Sequence, residues 1–461
     1  MSPREILALR DFTGNTVAGR SISDARSVVP LIDLATGSCL GGRLAGLAGR
    51  SVLVAVADQL RTGIALIELD GIARRMLLCP PDLNPEYIPS LIDDAQIDAI
   101  VCDDPERWTS AGVSLIVTAN LPVKAAAPIK TDRTTEWLML TSGTTGSPKI
   151  VRHSLATLIG AIVADGPSGN PAATWATFYD IRRYGGLQIF LRAIVGGGSM
   201  VLSEPGESIA DYVARLTARS VTHISGTPSH WRKALMSGAA VSFAPRYVRL
   251  SGEIADQAVL DSLRRAFPAA SIGHAYASTE AGVAFAVDDG LEGFPASVLR
   301  EPKGGVDLKV EDGSLRIRSP RTAYGYVGHN AAALMDADGF IDSGDMVDLR
   351  EGRYYFVGRR GGIVNVGGLK VHPEEVEAVI NRHRQVRMSR VRSRRSPITG
   401  AIVIADVVLA ETAEALRSSA IRDEIMTACR ESLALHKVPA MISFVSSLDV
   451  MPSGKLARQN A

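Results

Sequence analysis

The chain lacks several features that would assign a function at once. Its 461 residues include four cysteines with no CxxC pair, so neither a zinc site nor a disulfide framework is indicated. The hydrophobic fraction is 46%, yet no uninterrupted apolar run reaches the length of a membrane span. A formal net charge of +1 gives no bulk electrostatic reason to bind nucleic acid or a membrane surface. With these features excluded, the composition indicates a large globular protein.

The length of the chain and its first residues indicate how many domains to expect and in which compartment. At 461 residues the chain exceeds the usual single-domain size, which predicts two or three domains. The segment Met1–Ile6 lacks the apolar core of a signal peptide, and the scattered cysteines fit buried small hydrophobes in a reducing compartment. We therefore expect a cytoplasmic protein. The sequence does not predict its oligomeric state.

The most informative stretch runs from Leu140 to Lys149 and reads LTSGTTGSPK. Its glycines let successive backbone N–H groups turn inward as an anion-binding nest, and its hydroxyls add donors. It follows a strand-like run, 137–140, and a helix is expected from about Ser154, which predicts a strand–loop–helix phosphate site. Pro148 excludes a Walker loop, which would need glycine there. The candidate phosphate ligands are Thr141, Ser142, Gly143, Thr144, Thr145, Gly146 and Lys149.

Four further motifs follow in order. They are YASTE at 276–280, preceded by SGE at 251–253; FIDSGD at 340–345; GRRGGIVNVGGLKVHPEEVE at 358–377; and MPSGKLAR at 451–458. On these motifs the chain resembles the adenylate-forming superfamily, which comprises acyl-CoA synthetases, peptide-synthetase adenylation domains and luciferases. It is most similar to the acyl and aryl acid–CoA ligases. The resemblance covers residues 25–458 and is weakest before residue 130.

The resemblance implies a set of ATP ligands. Tyr276 would lie against the adenine ring, beside Ala277, where the family more often has glycine. Thr279 would bind a phosphate oxygen, and Glu280 would hold Mg²⁺, because a hard carboxylate oxygen suits a hard cation. The backbone of Gly252 and Glu253 would line the nucleotide pocket.

Three more residues complete the adenylation site that the resemblance implies. Asp345 would accept hydrogen bonds from the ribose hydroxyls, and Arg359 would reach the ribose or a phosphate. Lys455 would bridge the attacking carboxylate and the α-phosphate, with Thr279 and Glu280 as the other catalytic groups.

The resemblance also implies an acid pocket formed by Tyr179, Arg183, Tyr184 and Gly226. Arg183 could bind a second carboxylate or a polar ring substituent, or it could point to solvent; the sequence leaves both open. Asp180 could bind an amino group, although its spacing to the next glycines fits acyl or aryl ligases better.

Gly367, Gly368 and Lys370 are expected on the thiol side of the site. Gly361 stands where the family has its hinge aspartate, and Gly362 and Asn365 are further departures. Glycine at a hinge accepts wide backbone changes at little steric cost. Seven arginines lie between Arg382 and Arg395 with no acid among them, which indicates either a solvated face or a docking surface for a phosphorylated or acidic thiol partner.

The predicted fold is α/β. A large N-terminal domain, 1–357, would contain α/β subdomains and a β-rich subdomain, and a small mobile α/β lid would occupy 358–461. Strands are expected at 51–56, 99–101, 246–250, 304–310, 313–317 and 354–357, a helix at 57–67, and a linker at 124–130.

The predicted function is ATP-dependent activation of a carboxylic acid as acyl-AMP with release of pyrophosphate, then transfer to a thiol. The predicted cofactors are ATP, Mg²⁺ and coenzyme A or carrier-protein phosphopantetheine. Two alternatives remain: a stand-alone adenylation enzyme that loads a carrier protein, and a nonligase binding protein with the same fold. Retention of Lys455, Glu280 and Asp345 argues against the second.

Overall fold

A computed structural model describes most of the chain. The described residues are 8–14, 19–124, 133–141, 148–164, 173–301, 303–329, 331–366, 368–396, 400–410, 418–451 and 453–457. Ser142 to Gly146, Gly367 and nearly all of the predicted linker lie outside them.

The strands, in chain order, are β1 Ser21–Ser23, β2 Val28–Pro30, β3 Gly37–Ser38, β4 Ser51–Ala55, β5 Arg75–Leu78, β6 Ala99–Cys102, β7 Leu115–Thr118, β8 Val123–Lys124, β9 Glu136–Thr141, β10 Lys149–Ser154, β11 Thr174–Thr177, β12 Ser199–Val201, β13 His223–Gly226, β14 Tyr247–Leu250, β15 Ser271–Ser278, β16 Gly282–Val287, β17 Phe294–Pro295, β18 Asp307–Glu311, β19 Ser314–Arg318, β20 Gly325–Val327, β21 Ile341–Arg350, β22 Arg353–Arg359, β23 Val364–Val366, β24 Leu369–Val371, β25 Val386–Ser396, β26 Gly400–Leu409 and β27 Met441–Phe444. The helices are α1 Leu31–Thr36, α2 Leu44–Leu47, α3 Gln59–Leu69, α4 Ile88–Asp94, α5 Leu155–Ala164, α6 Tyr184–Val195, α7 Ile209–Ala218, α8 Pro228–Met236, α9 Gln257–Ala266, α10 Ser297–Arg300, α11 Pro373–Asn381 and α12 Ser418–Ser432.

Two large sheets form the centre of the N-terminal part. One has eight strands in the order β16-β15-β14-β13-β11-β12-β1-β2, and the other has seven in the order β20-β10-β9-β5-β4-β6-β7. Their central strands are parallel and buried on both faces, which explains why runs such as β4 are apolar without alternation. Helices α3, α5 and α6 contribute to the hydrophobic core that these sheets share. The parallel strands of the eight-stranded sheet all end at one edge, where the acid pocket is predicted.

A helix begins at Leu155, as predicted for about Ser154, but strand β10 precedes it, so the helix does not directly follow the predicted phosphate loop. Residues 142–147 join β9 to β10 in an antiparallel pair with Thr141 opposite Lys149, and α5 begins only at Leu155. Ile150 and Val151 favour a strand because they are β-branched, and β20 pairs along the other side of β10. Strand β10 therefore lies between the motif and α5.

The remainder of the chain is rich in strands. A five-stranded antiparallel sheet, β17-β22-β21-β19-β18, follows the second α/β stretch, as predicted. A smaller part has the sheet β25-β26-β27 with α11 and α12, and it contains its own hydrophobic core around Val376, Ile425 and Val407. A mixed α/β architecture with a large N-terminal and a small C-terminal part is thus confirmed. The boundary at 357/358 stays a prediction; β22 crosses it and ends at Arg359.

The expected strands and the helix at 57–67 are present with bounds shifted by a few residues. All four cysteines are buried and free, as expected. No helix within the described ranges combines the length and apolarity needed to cross a membrane.

Candidate active site

Asp345, Tyr276 and Arg359 lie in direct contact although they come from three strands. The Tyr276 hydroxyl donates to Oδ2 of Asp345 at 2.5 Å, and Nε of Arg359 donates to Oδ1 at 2.8 Å. The strand pairing explains half of this cluster, because Asp345 of β21 is directly opposite Arg359 of β22. Asp345 raises the pKa of Arg359, and burial raises the pKa of Tyr276. The three predicted nucleotide ligands thus form one hydrogen-bonded group.

The ring of Tyr276 lies nearly parallel to two phenylalanine rings. Phe285 is its neighbour across the β15–β16 pair at 5.7 Å, and Phe356 lies at 5.2 Å with an interplanar angle of 7°. These contacts fix the orientation of the ring. Ala277 follows a register shift in the same strand pair, so the bulge separates the backbone of Ala277 from the regular ladder.

Lys455 lies among the predicted nucleotide ligands. An added Cβ at Gly252 would lie 3.8 Å from Cε of Lys455 and 3.8 Å from the Tyr179 hydroxyl, so these three groups meet. Gly252 has φ of +83°, which favours glycine for its backbone as well as for this close approach. Burial lowers the pKa of Lys455, as does the neighbouring Arg359, while Glu253, Asp345 and Glu280 oppose that shift. Lys455 and Gly252 are therefore neighbours in the structure, although more than two hundred residues separate them in the sequence.

The segment that carries Lys455 is held by three contacts, which we call the C-terminal clasp: Thr227 to Gly454, Glu253 to Leu456, and Gly454 against His230. Thr227 Oγ1 donates to the Gly454 carbonyl at 2.5 Å, and the Leu456 N–H donates to Oε1 of Glu253 at 2.7 Å. An added Cβ at Gly454 would lie 1.9 Å from the His230 ring. Only glycine fits that position.

Glu253 therefore contributes through its side chain, whereas the sequence analysis expected backbone contacts. Its Oε2 accepts from the backbone N–H of Ser229, and its Oε1 accepts from the Ser229 hydroxyl at 3.0 Å as well as from Leu456. The carboxylate thus joins the first turn of α8, where a negative charge is favourable, to the C-terminal segment.

Glu280 and Lys149 meet through Tyr326, which the sequence analysis missed. The Tyr326 hydroxyl donates to Oε1 of Glu280 at 3.3 Å, and Nζ of Lys149 lies 4.9 Å from the ring centroid. Burial and the nearby Glu280 raise the pKa of Tyr326 to about 12, so the phenol remains a donor. Among the described residues no three His, Cys, Asp or Glu side chains are grouped as a metal site.

His153 supports the Thr279–Glu280 turn and was also missed. It is fully buried, and its Nε2 is 2.7 Å from the Thr279 carbonyl oxygen, which can only accept; Nε2 must therefore carry the proton. Nδ1 lies 3.0 Å from Thr157 Oγ1. Burial lowers the pKa of His153 to about 4. The signal that could have predicted it was a lone histidine in the apolar β10 run.

The predicted acid-pocket residues have different neighbours. The Tyr179 hydroxyl donates to the Ser251 carbonyl at 2.6 Å, and the Tyr184 ring lies 5.8 Å from that of His153. Gly226 leaves room for Phe178, which an added Cβ would approach to 2.7 Å. Arg183 fits neither of the two positions expected for it, at a substrate carboxylate or in solvent, because its Nη2 contacts both oxygens of Asp82 at 2.5 and 2.6 Å.

Asp180 is not available to an amino group. Arg182 binds it through two donors, Nε to Oδ1 at 2.8 Å and Nη2 to Oδ2 at 2.5 Å, and is itself only 2% exposed. Nη1 of Arg182 donates to the Val56 carbonyl, so the pair is a fixed part of the structure.

The candidate hinge and thiol residues lie apart from this cluster. Gly361 is exposed in a short 3₁₀ turn, Arg360–Gly362, directly after β22. Lys370 is exposed on β24, and Gly368 precedes it with φ of +86°. No contact in the structure tests their predicted roles.

Known structures share this architecture. An anthranilate CoA ligase bound to anthranoyl-AMP aligns over 98% of this chain and 95% of its own, with a TM-score of 0.80 and 18% identity. An o-succinylbenzoate CoA synthetase from Bacillus subtilis, bound to its acyl-adenylate intermediate, aligns over 97% and 96% with a TM-score of 0.74 and 20% identity. The fold is that of the adenylate-forming enzymes.

The family follows from the sequence match. The model of the AMP-binding enzyme family matches residues 77–327, more than half of the chain, and that of the AMP-binding enzyme C-terminal domain matches 375–455. The chain belongs to the AMP-binding enzyme family. A 2-succinylbenzoate–CoA ligase from Bacillus velezensis is 27% identical over 395 residues, 80% of this chain and 78% of that protein. The protein is accordingly an AMP-forming ligase that activates an acid as acyl-AMP.

Proposed function

We propose that this ligase transfers its acyl group from acyl-AMP to coenzyme A, and that its acid is aromatic. The curated relative is named for 2-succinylbenzoate and CoA, and the anthranilate ligase for a second benzoate. Loading of a carrier protein is the alternative acceptor. The structural observation that supports the acyl-AMP step before this transfer is the meeting of Lys455 with Gly252 and Tyr179, beside the Asp345 cluster.

The first step needs positive charge at the α-phosphate. A carboxylate has no stable leaving group, and attack on the α-phosphate gives it AMP, but two anions must approach each other. In the proposed mechanism Lys455 bridges the two anions, Lys149 and the glycine- and threonine-rich loop hold the phosphates, and Asp345 and Arg359 orient the ribose. Partial burial strengthens the field of Lys455 because less water surrounds it than at the surface.

The residues present fit a single magnesium ion. Glu280 offers a hard oxygen beside Lys149, and Mg²⁺ commonly uses one or two carboxylates with substrate phosphates completing its shell. When bound there, the ion would neutralise phosphate charge.

The second step needs a thiol and a different arrangement of the C-terminal part. In the structure the C-terminal clasp holds Lys455 in place, which fits the adenylation step. We propose that the clasp opens after pyrophosphate release, with Gly361 as the hinge, and that Gly367, Gly368 and Lys370 then border the thiol.

Pyrophosphate release over a panel of aromatic, fatty, dicarboxylic and amino acids tests the reaction, since a nonligase with this fold would release none with any acid. Thioester formation with CoA, compared with a phosphopantetheinylated carrier, tests the acceptor.

Lys455→Ala should reduce pyrophosphate release about 100- to 1000-fold and spare thioester formation from supplied acyl-AMP. Lys370→Ala is the control with the opposite expected pattern. Equal losses in both half-reactions would indicate a folding defect and contradict these roles.

A further inference from the structure

Arg249 is a largely buried cation that has no partner among the residues that the structure describes. It is 9% exposed on β14, and no described residue forms a hydrogen bond or ion pair with its side chain. Other buried arginines within the described ranges form hydrogen bonds: Arg10 and Arg20 donate to backbone carbonyls, and Arg182 binds Asp180. None of its guanidinium nitrogens is among the fully buried atoms that lack a partner, so the nitrogens of Arg249 keep some contact with solvent and stay accessible to an anion.

The register places Arg249 at the edge where the acid pocket is predicted. Thr177, Ser225, Arg249 and Gly273 are paired in one row across β11, β13, β14 and β15, so their side-chain positions share a face of the sheet. Ser225 is fully buried, and its Oγ has no hydrogen-bond partner either. An arginine without a protein partner and a buried unsatisfied hydroxyl are therefore neighbours near the carboxyl ends of parallel strands, where open α/β sheets bind ligands.

The charge of Arg249 acts on the predicted acid pocket. Burial raises the pKa of both Tyr179 and Tyr184, and Arg249 is among the cations that oppose this rise. Both phenols are therefore neutral and close to the guanidinium. The carboxylate of Asp288 lies over Gly273 in the same row, but it is exposed and forms no ion pair with Arg249.

We propose that Arg249, with Ser225 beside it, binds a second carboxylate of the acid substrate. This inference rests on the proposed function and narrows its substrate class to acids with a distal anionic group. Arg183 is unsuited to the role because Asp82 already binds it. A substrate carboxylate would supply the partner that Arg249 lacks, and a guanidinium fits a carboxylate through two donors.

The kinetic test compares diacids with their monoamides. Pyrophosphate release is measured with aromatic and aliphatic diacids, 2-succinylbenzoate among them, each beside the amide that neutralises only the distal carboxylate, and with benzoate. The wild-type kcat/KM should favour the best diacid over its amide by about 10- to 100-fold. Arg249→Met should remove this preference through KM, and its kcat/KM should fall far less with benzoate than with the diacid. Arg246→Met, which removes an exposed cation just before the same strand, should keep it.

A wild-type enzyme that uses the amide as well as the diacid would overturn the inference, as would a retained preference in Arg249→Met. Absence of pyrophosphate with every acid, benzoate included, would instead refute the proposed function.

Thermal unfolding without substrate tests Arg249 independently of turnover. Arg249→Met should leave Tm unchanged or raise it, because an apolar side chain of similar length replaces an unpaired buried charge. Arg182→Met should lower Tm, since it leaves Asp180 without its partner. A fall in Arg249→Met as large as that in Arg182→Met would show that Arg249 has a structural partner and would overturn the proposal.

Discussion

Asp345 contacts two residues of the nucleotide site at once, so its removal has a limited and specific expected effect. In Asp345→Ala the Tyr276 hydroxyl and Arg359 lose their acceptor, and a ribose would lose its own. Because ribose contacts exist in both ground and transition states, we expect about a tenfold weaker ATP affinity with a smaller change in kcat. Equilibrium ATP binding measures this, and an unchanged affinity would mean that Asp345 is not the ribose ligand.

His153 makes stability depend on pH. Its pKa is about 4 in the fold, below the ordinary value of 6.5, so the unfolded chain binds the proton more readily. The contribution of His153 to the free energy of unfolding should therefore be constant above pH 6.5 and fall as pH decreases to about 4, by up to about 3 kcal/mol. Asp70, whose pKa burial raises to about 6, contributes with the opposite sign over part of this range, so the contribution of His153 is read as the difference between the wild type and a His153 variant. Denaturant unfolding between pH 7 and 4.5 checks this. Relative to the wild type, His153→Gln should lose less stability as pH decreases, and it keeps the contribution of His230, whose pKa burial lowers to about 3. An equally steep fall in the variant would contradict the assignment.

At the scale of elements, the C-terminal clasp depends on one glycine. Gly454→Ala would place a Cβ 1.9 Å from the His230 ring, so we expect the segment to be displaced and adenylation to fall nearly as far as in Lys455→Ala. Thioester formation from supplied acyl-AMP should persist. Gly352→Ala is the matched control, because Gly352 has the same φ of +79° but nothing within 4 Å. Both variants should lose about 1 kcal/mol of stability from the left-handed backbone. A control that also loses adenylation would refute the steric explanation.

The arginines from Arg382 to Arg395 fall into two groups, those that bind an acidic side chain and those that are exposed. Arg390 and Arg392 both bind Asp406 at 2.9 Å, and Arg382 contacts Glu292 at 3.3 Å. Arg394 and Arg395 are exposed near the end of the strand. If the run attracts a phosphorylated thiol, the double variant Arg394→Ser and Arg395→Ser should raise the KM for CoA and leave pyrophosphate release unchanged. The effect should diminish with added salt, since exposed charges about 10 Å apart are screened at roughly 0.1 M. An unchanged KM at low salt would favour a solvated face.

At the scale of the whole molecule, local motifs could be predicted and long-range contacts could not. Each of the motifs around Tyr276, Asp345 and Lys455 is a continuous stretch of sequence. The residue types within the motifs and the order of the motifs along the chain were therefore enough to predict a common site. The contacts that orient them join distant residues: His153 to Thr279 and Glu253 to Leu456. No local pattern encodes such pairs.

The errors have the same origin. The helix expected from about Ser154 is present, but strand β10 before it was not predicted, because this short β-branched segment, Lys149–Ser154, gains its strand partners from β9 and from the distant β20. Asp82 was not foreseen as the partner of Arg183, since 101 residues separate them. The burial of Arg249 could not be predicted from the sequence, because the burial of a single strand residue depends on the helices that cover its sheet.

The buried cysteines have a chemical consequence for a protein that makes an activated acyl group for a thiol. Cys39, Cys79, Cys102 and Cys429 are all buried, and burial raises the pKa of each thiol, to about 11 for the last three. The thiolate is the nucleophile, so none of these side chains competes for an acyl-adenylate at neutral pH. The enzyme can hold a strong electrophile without acylating its own sulfur, and the only thiol that meets it is the one delivered from solution.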